Sequence, residues 1–190
     1  MYLYLITHLA TEPQPGRSSD MWQLSAEGRE QAAALRAAPF WARVEQIAVS
    51  AEPKTLLSIA PVVEARGLPV WVDCRFDELR RGGWVADYAA QVAEALARPT
   101  EPVGGWEPAA HALRRVLGGL DDLQQRFAPK TVALVGHGLT LSLLRAHWLG
   151  YERVRLEEWA RLRFGAVALV ELPAGRIVED FPLAGAPVRR

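Results

Sequence analysis

The sequence of 190 residues has a single cysteine, Cys74. No intrachain disulfide can form, so a small secreted fold held by disulfides is excluded. Cys74 closes the stretch Trp71-Val72-Asp73 and reads as a small buried side chain rather than a reactive thiol. An excess of one charge is also lacking, since 22 basic residues balance 22 acidic ones and no run of like charge stands out. Broad electrostatic attraction to nucleic acid or to an anionic membrane is therefore not expected. The short basic pairs Arg80-Arg81 and Arg189-Arg190 read as solvated surface. No apolar run is long enough to span a bilayer, and Tyr2 to Ile6, directly after Met1, has no basic leader. The expected location is cytoplasmic. Metal-ligand spacing is missing too: His111 and His147 make no zinc pattern and no His-Glu-x-x-His occurs, so both read as structural helix residues.

What the sequence does contain is alternation of strands and helices. Tyr2 to Thr7, Gln46 to Ser50, Leu68 to Val72 and Thr131 to Val135 are short apolar runs with the character of buried strands. Between them lie helical stretches. The first opens at Leu24-Ser25, with Ser25 as N-cap, and closes at Ala38 before Pro39. Lys54 to Arg66 follows Pro53 and stops at Gly67, as the end preferences of proline and glycine predict. Val85 to Ala97, Glu107 to Phe127 and Leu139 to Leu149 complete the set, with Gly118-Gly119 weakening the middle of the fourth. Ala166 to Leu172 and Arg176 to Phe181, joined by Pro173-Ala174-Gly175, predict a hairpin.

This order predicts an α/β fold, a three-layer αβα sandwich on a mostly parallel sheet, forming one domain over residues 1–190. Residues 73–105 are less regular and read as a small insertion or cap over the pocket, with Trp84 and Trp106 at its flanks as possible pocket lining. Such sheets bind ligands beyond the carboxyl ends of their strands. His8 follows the first strand and Gly136-His137-Gly138 follows the strand Thr131 to Val135, so both histidines belong at that edge. A neutral imidazole there can attack phosphorus, given donors for the phosphoryl oxygens and an acid for the leaving oxygen. His8 fits the nucleophile and His137 a second imidazole on the phosphoryl group. The N–H groups around Gly138 open a helix and suit an anion. Lys54 supplies a cation and Glu78 an acid.

Three stretches resemble the histidine phosphatases, the phosphoglycerate mutase-like superfamily. They are Leu5-Ile6-Thr7-His8 with the later Leu24 to Ala32, then Ser50 to Thr55, then Leu134-Val135-Gly136-His137-Gly138. Phe76-Asp77-Glu78-Leu79, between the last two, looks like the segment carrying the family's proton donor. The resemblance spans nearly the whole chain. It implies a phosphohistidine intermediate at His8, with no metal and no organic cofactor. It further implies His137, Lys54, Gly138 and the position of Thr7 around the phosphate, Glu78 as proton donor, and a small phosphorylated molecule as partner. Three residues depart from the family pattern. Thr7 stands where arginine usually precedes the nucleophile, Leu9 replaces glycine and Lys54 replaces the second arginine. Neither lysine nor threonine reproduces the planar, bidentate guanidinium fork. Arg17, Arg75, Arg80 and Arg81 are candidates to replace it. The expected function is a phosphohydrolase acting on a small phosphomonoester. The alternative is a catalytically weak or inactive member that binds anions, a carboxylate or sulfate included, or acts as a scaffold.

Overall fold

The computed structural model describes residues 1–183, so Arg189-Arg190 lie outside the described residues. Six strands form one sheet in the order β3-β2-β4-β1-β5-β6. The strands are β1 (Tyr2–Thr7), β2 (Gln46–Val49), β3 (Val70–Val72), β4 (Val132–Gly136), β5 (Val167–Glu171) and β6 (Arg176–Glu179). The first four run parallel, whereas β5 pairs antiparallel with both β1 and β6, the expected hairpin. The helices are α1 (Ala26–Arg36), α2 (Pro53–Arg66), α3 (Tyr88–Ala97), α4 (Ala109–Phe127), α5 (Gly138–Trp148) and α6 (Leu156–Arg161).

The pleat of β1 divides the core in two. Tyr4 and Ile6 pack with Ala32 and Leu35 of α1 and with Ile59 and Val62 of α2. Leu3 and Leu5, on the other face, pack with Val116 and Leu120 of α4 and Leu141 and Leu144 of α5. Successive strand residues point to opposite faces, so a near-continuous apolar run is what a sheet covered on both sides requires. Each such fully buried aliphatic side chain contributes about 1.5–3 kcal/mol.

Helix ends follow their local signals. The hydroxyl of Ser25 accepts from Gly28 N, Pro53 opens α2 and Gly67 ends it at φ 63°. Three helix boundaries differ from the expectation by two residues or more. α1 stops at Arg36, and Pro39 opens a short 3-10 turn instead. α3 begins at Tyr88 rather than Val85 because the Asp87 side chain caps Ala90 N. α4 begins after Pro108, which leaves Glu107 outside. The short helix α6 had no counterpart in the sequence reading. Cys74 is exposed in a 3-10 turn, not buried: β3 is an edge strand, and the chain leaves the core there. His111 and His147 are exposed positions on α4 and α5. No described helix is long and apolar enough to cross a membrane.

Gly118 and Gly119 sit inside α4, and the second has a packing reason. A Cβ on Gly119 would lie 2.8 Å from the ring of Phe76, the buried residue of the turn Cys74–Phe76. α3 and Trp106 join α5 and α6 in a third apolar cluster with Leu79, Leu139 and Trp159. Trp106 is thereby buried, while Trp84 is exposed and lies 6.1 Å from Trp22, ring centre to ring centre.

Candidate active site

Strand order brings the site residues together. β2, β4 and β1 are parallel neighbours, so the residues that follow them emerge side by side at one edge: Ser50, His137 and His8. Thr7 pairs with Gly136, and His8 N extends the ladder by donating to Gly136 O at 2.8 Å. The two imidazole centres are 5.2 Å apart.

The chain after β1 is clamped from several sides. Leu9 N donates to Ser58 Oγ of α2, and Ala10 N donates to Gln31 Oε1 of α1. Ala10 O accepts from Ser25 N and lies 2.0 Å from where a Gly28 Cβ would stand, so only glycine permits this approach of α1. The Ser25 to Gln31 stretch thus positions the loop that carries His8. Its Nδ1 contacts Leu9 O at 2.8 Å. A carbonyl only accepts, so in the neutral ring Nδ1 carries the hydrogen and Nε2 is the basic nitrogen. Phe164 borders the same ring at 5.3 Å.

His137 is fully buried, and its Nε2 lies 2.7 Å from Ser50 Oγ and 3.5 Å from Glu52 Oε1. Its Nδ1 is buried and has no hydrogen-bond partner among the described residues. Burial pushes its pKa well below the ordinary histidine value, and the charges of Lys54, His8, Arg81 and Arg115 push the same way. It is a neutral imidazole at physiological pH.

Lys54 is 4 % exposed rather than a solvated surface residue. Its Nζ donates to Ser19 O at 2.7 Å and pairs with Glu52 Oε2. Glu52 was not singled out as a site residue, although it stands inside the Ser50 to Thr55 motif. Its Oε1 accepts from Glu78 N at 2.7 Å. Burial raises the Glu52 pKa most strongly; Lys54 and the Glu78 N–H oppose that, and the Glu78 charge adds to it.

The Thr7 hydroxyl and the N–H groups that follow Gly138 are otherwise engaged. The Thr7 hydroxyl donates to Arg163 O at 2.7 Å and accepts from Ala166 N at 2.9 Å. The pleat places it with Leu3 and Leu5, so it stitches β1 to the approach of β5 and stands in for no guanidinium. At the start of α5, beside the anion contact expected at Gly138, the protein supplies an anion of its own. Glu78 accepts from Leu139 N and Thr140 N at 3.1 Å each and from Leu79 N at 3.0 Å. A carboxylate at a helix N-terminus satisfies orphan donors and complements the helix dipole.

Of the candidate replacement arginines, Arg75 is held by Asp73 and Asp122, and Arg17 donates to Gln14. Arg81 is the one of the four whose charge is seen to act on His137. It stacks against Tyr88 and Trp106 at 4.6 and 4.9 Å, donates to Ser19 Oγ and stands 3.7 Å from Glu78. A cleft of about 380 Å³ opens here, lined by residues 18–21, 51–53 and 77–81, Arg80 and Arg81 included. Neither histidine lines it, but Glu52, which touches His137, does. Among the described residues no group of three or more His, Cys, Asp or Glu side chains is placed to hold a metal ion.

The chain resembles solved structures over its whole length. Bacillus stearothermophilus YhfR is 21 % identical with a TM-score of 0.74, covering 98 % of each chain. The mycobacterial glucosyl-3-phosphoglycerate phosphatase solved with VO3 is 21 % identical with a TM-score of 0.75, covering 97 % of this chain and 99 % of that one. The alpha-ribazole phosphatase of Shigella flexneri is 20 % identical with a TM-score of 0.73, covering both chains fully. Comparison with curated proteins gives no match. The sequence over residues 3–178 matches the histidine phosphatase superfamily, branch 1. With His8 and His137 paired at the ends of β1 and β4, the chain belongs to that superfamily.

Proposed function

We propose that the protein is a phosphohydrolase that cleaves a small phosphomonoester through phospho-His8. The observation that carries this reading is the fixed His8 ring. Nδ1 is held by Leu9 O, which leaves Nε2 as the nucleophilic nitrogen, 5.2 Å between ring centres from a neutral, buried His137. His137 and Lys54 would contact the phosphoryl oxygens, and Arg81 would add positive charge from the cleft wall. The first turn of α5 would act through its dipole rather than through Leu139 and Thr140 N–H, since Glu78 holds those. Two neighbours of the same fold are named for phosphatase activity, on a glucosyl-3-phosphoglycerate and on an alpha-ribazole phosphate, which supports the general class. A cleft of about 380 Å³ suits a small organic phosphate. Residues 73–105 contribute its Asp77 to Arg81 wall, consistent with a specificity role for this segment.

A second reading has a specific observation behind it. Glu52 neutralises Lys54, and Thr7 brings no guanidinium, which favours an anion-binding member with little or no catalysis. Turnover of p-nitrophenyl phosphate without added metal separates the two. The phosphatase reading expects vanadate-sensitive turnover that drops by at least about 10³-fold in His8→Ala, as removal of a nucleophile does. Equal, negligible turnover by both proteins across pH and several substrates favours the binding module.

A further inference from the structure

Resting on the phosphate pocket of the phosphatase reading, we propose that Glu52 makes this pocket selective for an oxyanion that carries a proton. A phosphomonoester monoanion or a hydrogen phosphate fits; a sulfate or sulfate ester, fully ionised, does not. The two groups expected to bind phosphoryl oxygens both meet the same carboxylate. Glu52 Oε2 pairs with Lys54 Nζ, and Oε1 stands 3.5 Å from His137 Nε2 while accepting from Glu78 N at 2.7 Å. Glu52 is 7 % exposed and lines the cleft beside Pro53, Asp77 and Glu78. An oxyanion that reaches either Lys54 or His137 therefore arrives next to a fixed carboxylate.

Lys54 can receive that anion without leaving Glu52. An ammonium has three donors; Glu52 and Ser19 O take two, and among the described residues the third has no acceptor. Two anions that share one ammonium out of water repel each other, as paired carboxylates do. One proton between them turns the repulsion into a charge-assisted O–H···O⁻ hydrogen bond. Hydrogen phosphate keeps such a proton at neutral pH, and a phosphomonoester holds one below its second pKa of about 6. Sulfate holds none, so its entry requires Glu52 to take a proton from water.

The charged and titratable groups that set this balance are Lys54 from α2, His137 ahead of α5, and Glu78. Asp77 accepts from Ala51 N next to Glu52, and His8, Arg81 and Arg115 act on the adjoining imidazole. Glu78 is already compensated, since it accepts three main-chain N–H groups and faces Arg81 at 3.7 Å. It remains the acid expected for the leaving oxygen. Glu52 accepts only one N–H, so its charge is the one an incoming anion meets. Burial raises its pKa, which favours holding the shared proton. Selection by that proton also separates substrate from product. Above about pH 6 the ester sheds its proton while inorganic phosphate keeps one, so the product competes better as pH rises.

The test is calorimetry of inorganic phosphate and of sulfate on wild type and Glu52→Gln, at about pH 6 and about pH 8, either side of neutrality. Wild type should prefer phosphate by about 30-fold or more, and the preference should widen with pH by up to about tenfold per unit as Glu52 must regain its proton for sulfate. Glu52→Gln should bind sulfate about tenfold or more tightly than wild type does and keep under about tenfold preference at both pH values. Sulfate too weak to measure in wild type but measurable in Glu52→Gln supports the same reading. A further arm needs no variant, because two buffers of different ionisation enthalpy report proton uptake by wild type alone. Sulfate should bind with about one proton taken up, and phosphate near pH 8 with close to none. Equal preference in the two proteins, or sulfate binding to wild type without proton uptake, overturns the proposal. If His8-dependent turnover of p-nitrophenyl phosphate accompanies that result, the phosphatase reading stands and only the role of Glu52 falls. Lost turnover with the preference intact removes the phosphatase reading instead and leaves Glu52 selecting phosphate in a binding module.

Discussion

Glu52 Oε1 lies 3.5 Å from His137 Nε2 while its other carboxylate oxygen holds Lys54 Nζ. One acidic side chain thus joins an imidazole at the end of β4 to a buried ammonium on α2. That link sets both the electrostatics of the pocket and its dependence on pH.

The first prediction concerns stability. The Glu52 pKa is raised in the folded chain above its ordinary 4.5. A raised carboxyl contributes stability that is complete below pH 4.5 and is lost as pH climbs through the folded value. Glu52→Gln cannot show that loss. The unfolding free energy of Glu52→Gln minus that of wild type should therefore grow as pH rises from 4.5, by at most about 1.4 kcal/mol per pH unit, and then level off. Removing the partner of Lys54 adds a constant offset, so the slope carries the prediction. Urea unfolding at several pH values measures it, and a flat difference contradicts it.

His137 works in the opposite direction. Its folded pKa lies well below 6.5, so the unfolded chain binds a proton that the folded chain refuses. Stability should fall by up to about 1.4 kcal/mol per unit as pH drops below 6.5. His137→Asn should lack that component. Acid unfolding followed by circular dichroism would show the variant with a shallower decline just below pH 6.5, where the carboxylates still contribute little.

The glycine pair of α4 gives a prediction in which the sign differs between neighbours. A Cβ on Gly118 meets nothing within 4 Å among the described residues, so Gly118→Ala should stabilise by about 0.5–1 kcal/mol through helix propensity. Gly119→Ala would place a Cβ 2.8 Å from the Phe76 ring and 3.3 Å from Arg75 Cβ. Overpacking of that kind costs about 1–3 kcal/mol and outweighs the same propensity gain. Thermal unfolding of the two variants should shift in opposite directions.

The frame of this site was legible in the sequence because its signals are local. Apolar runs with breakers marked β1, β2 and β4, and the parallel order they implied placed His8 and His137 at one edge. Ser25, Pro53 and Gly67 each acted at the helix end they marked. What escaped the reading depends on packing between distant segments. Thr7 appeared to face the pocket, yet its hydroxyl bonds a carbonyl and an N–H more than 150 residues away. Glu78 was legible as a candidate acid, but its hydrogen bonds to N–H groups of α5, some 60 residues on, had no local sign. Lysine is usually solvated, so the burial of Lys54 had no local sign. Glu52 was within reach: an acid two residues before a lysine, in the loop that leaves a pocket-forming strand, was the available clue.

The account rests on His8 as the residue that takes the phosphoryl group. The most direct measurement is rapid quenching of the protein with a radiolabelled phosphomonoester, in base, followed by peptide mapping. The account predicts label on the peptide containing His8, stable to base, released by acid as a phosphorus–nitrogen bond requires, and absent from His8→Ala. Turnover that persists in His8→Ala, or label that appears on another peptide, would contradict it.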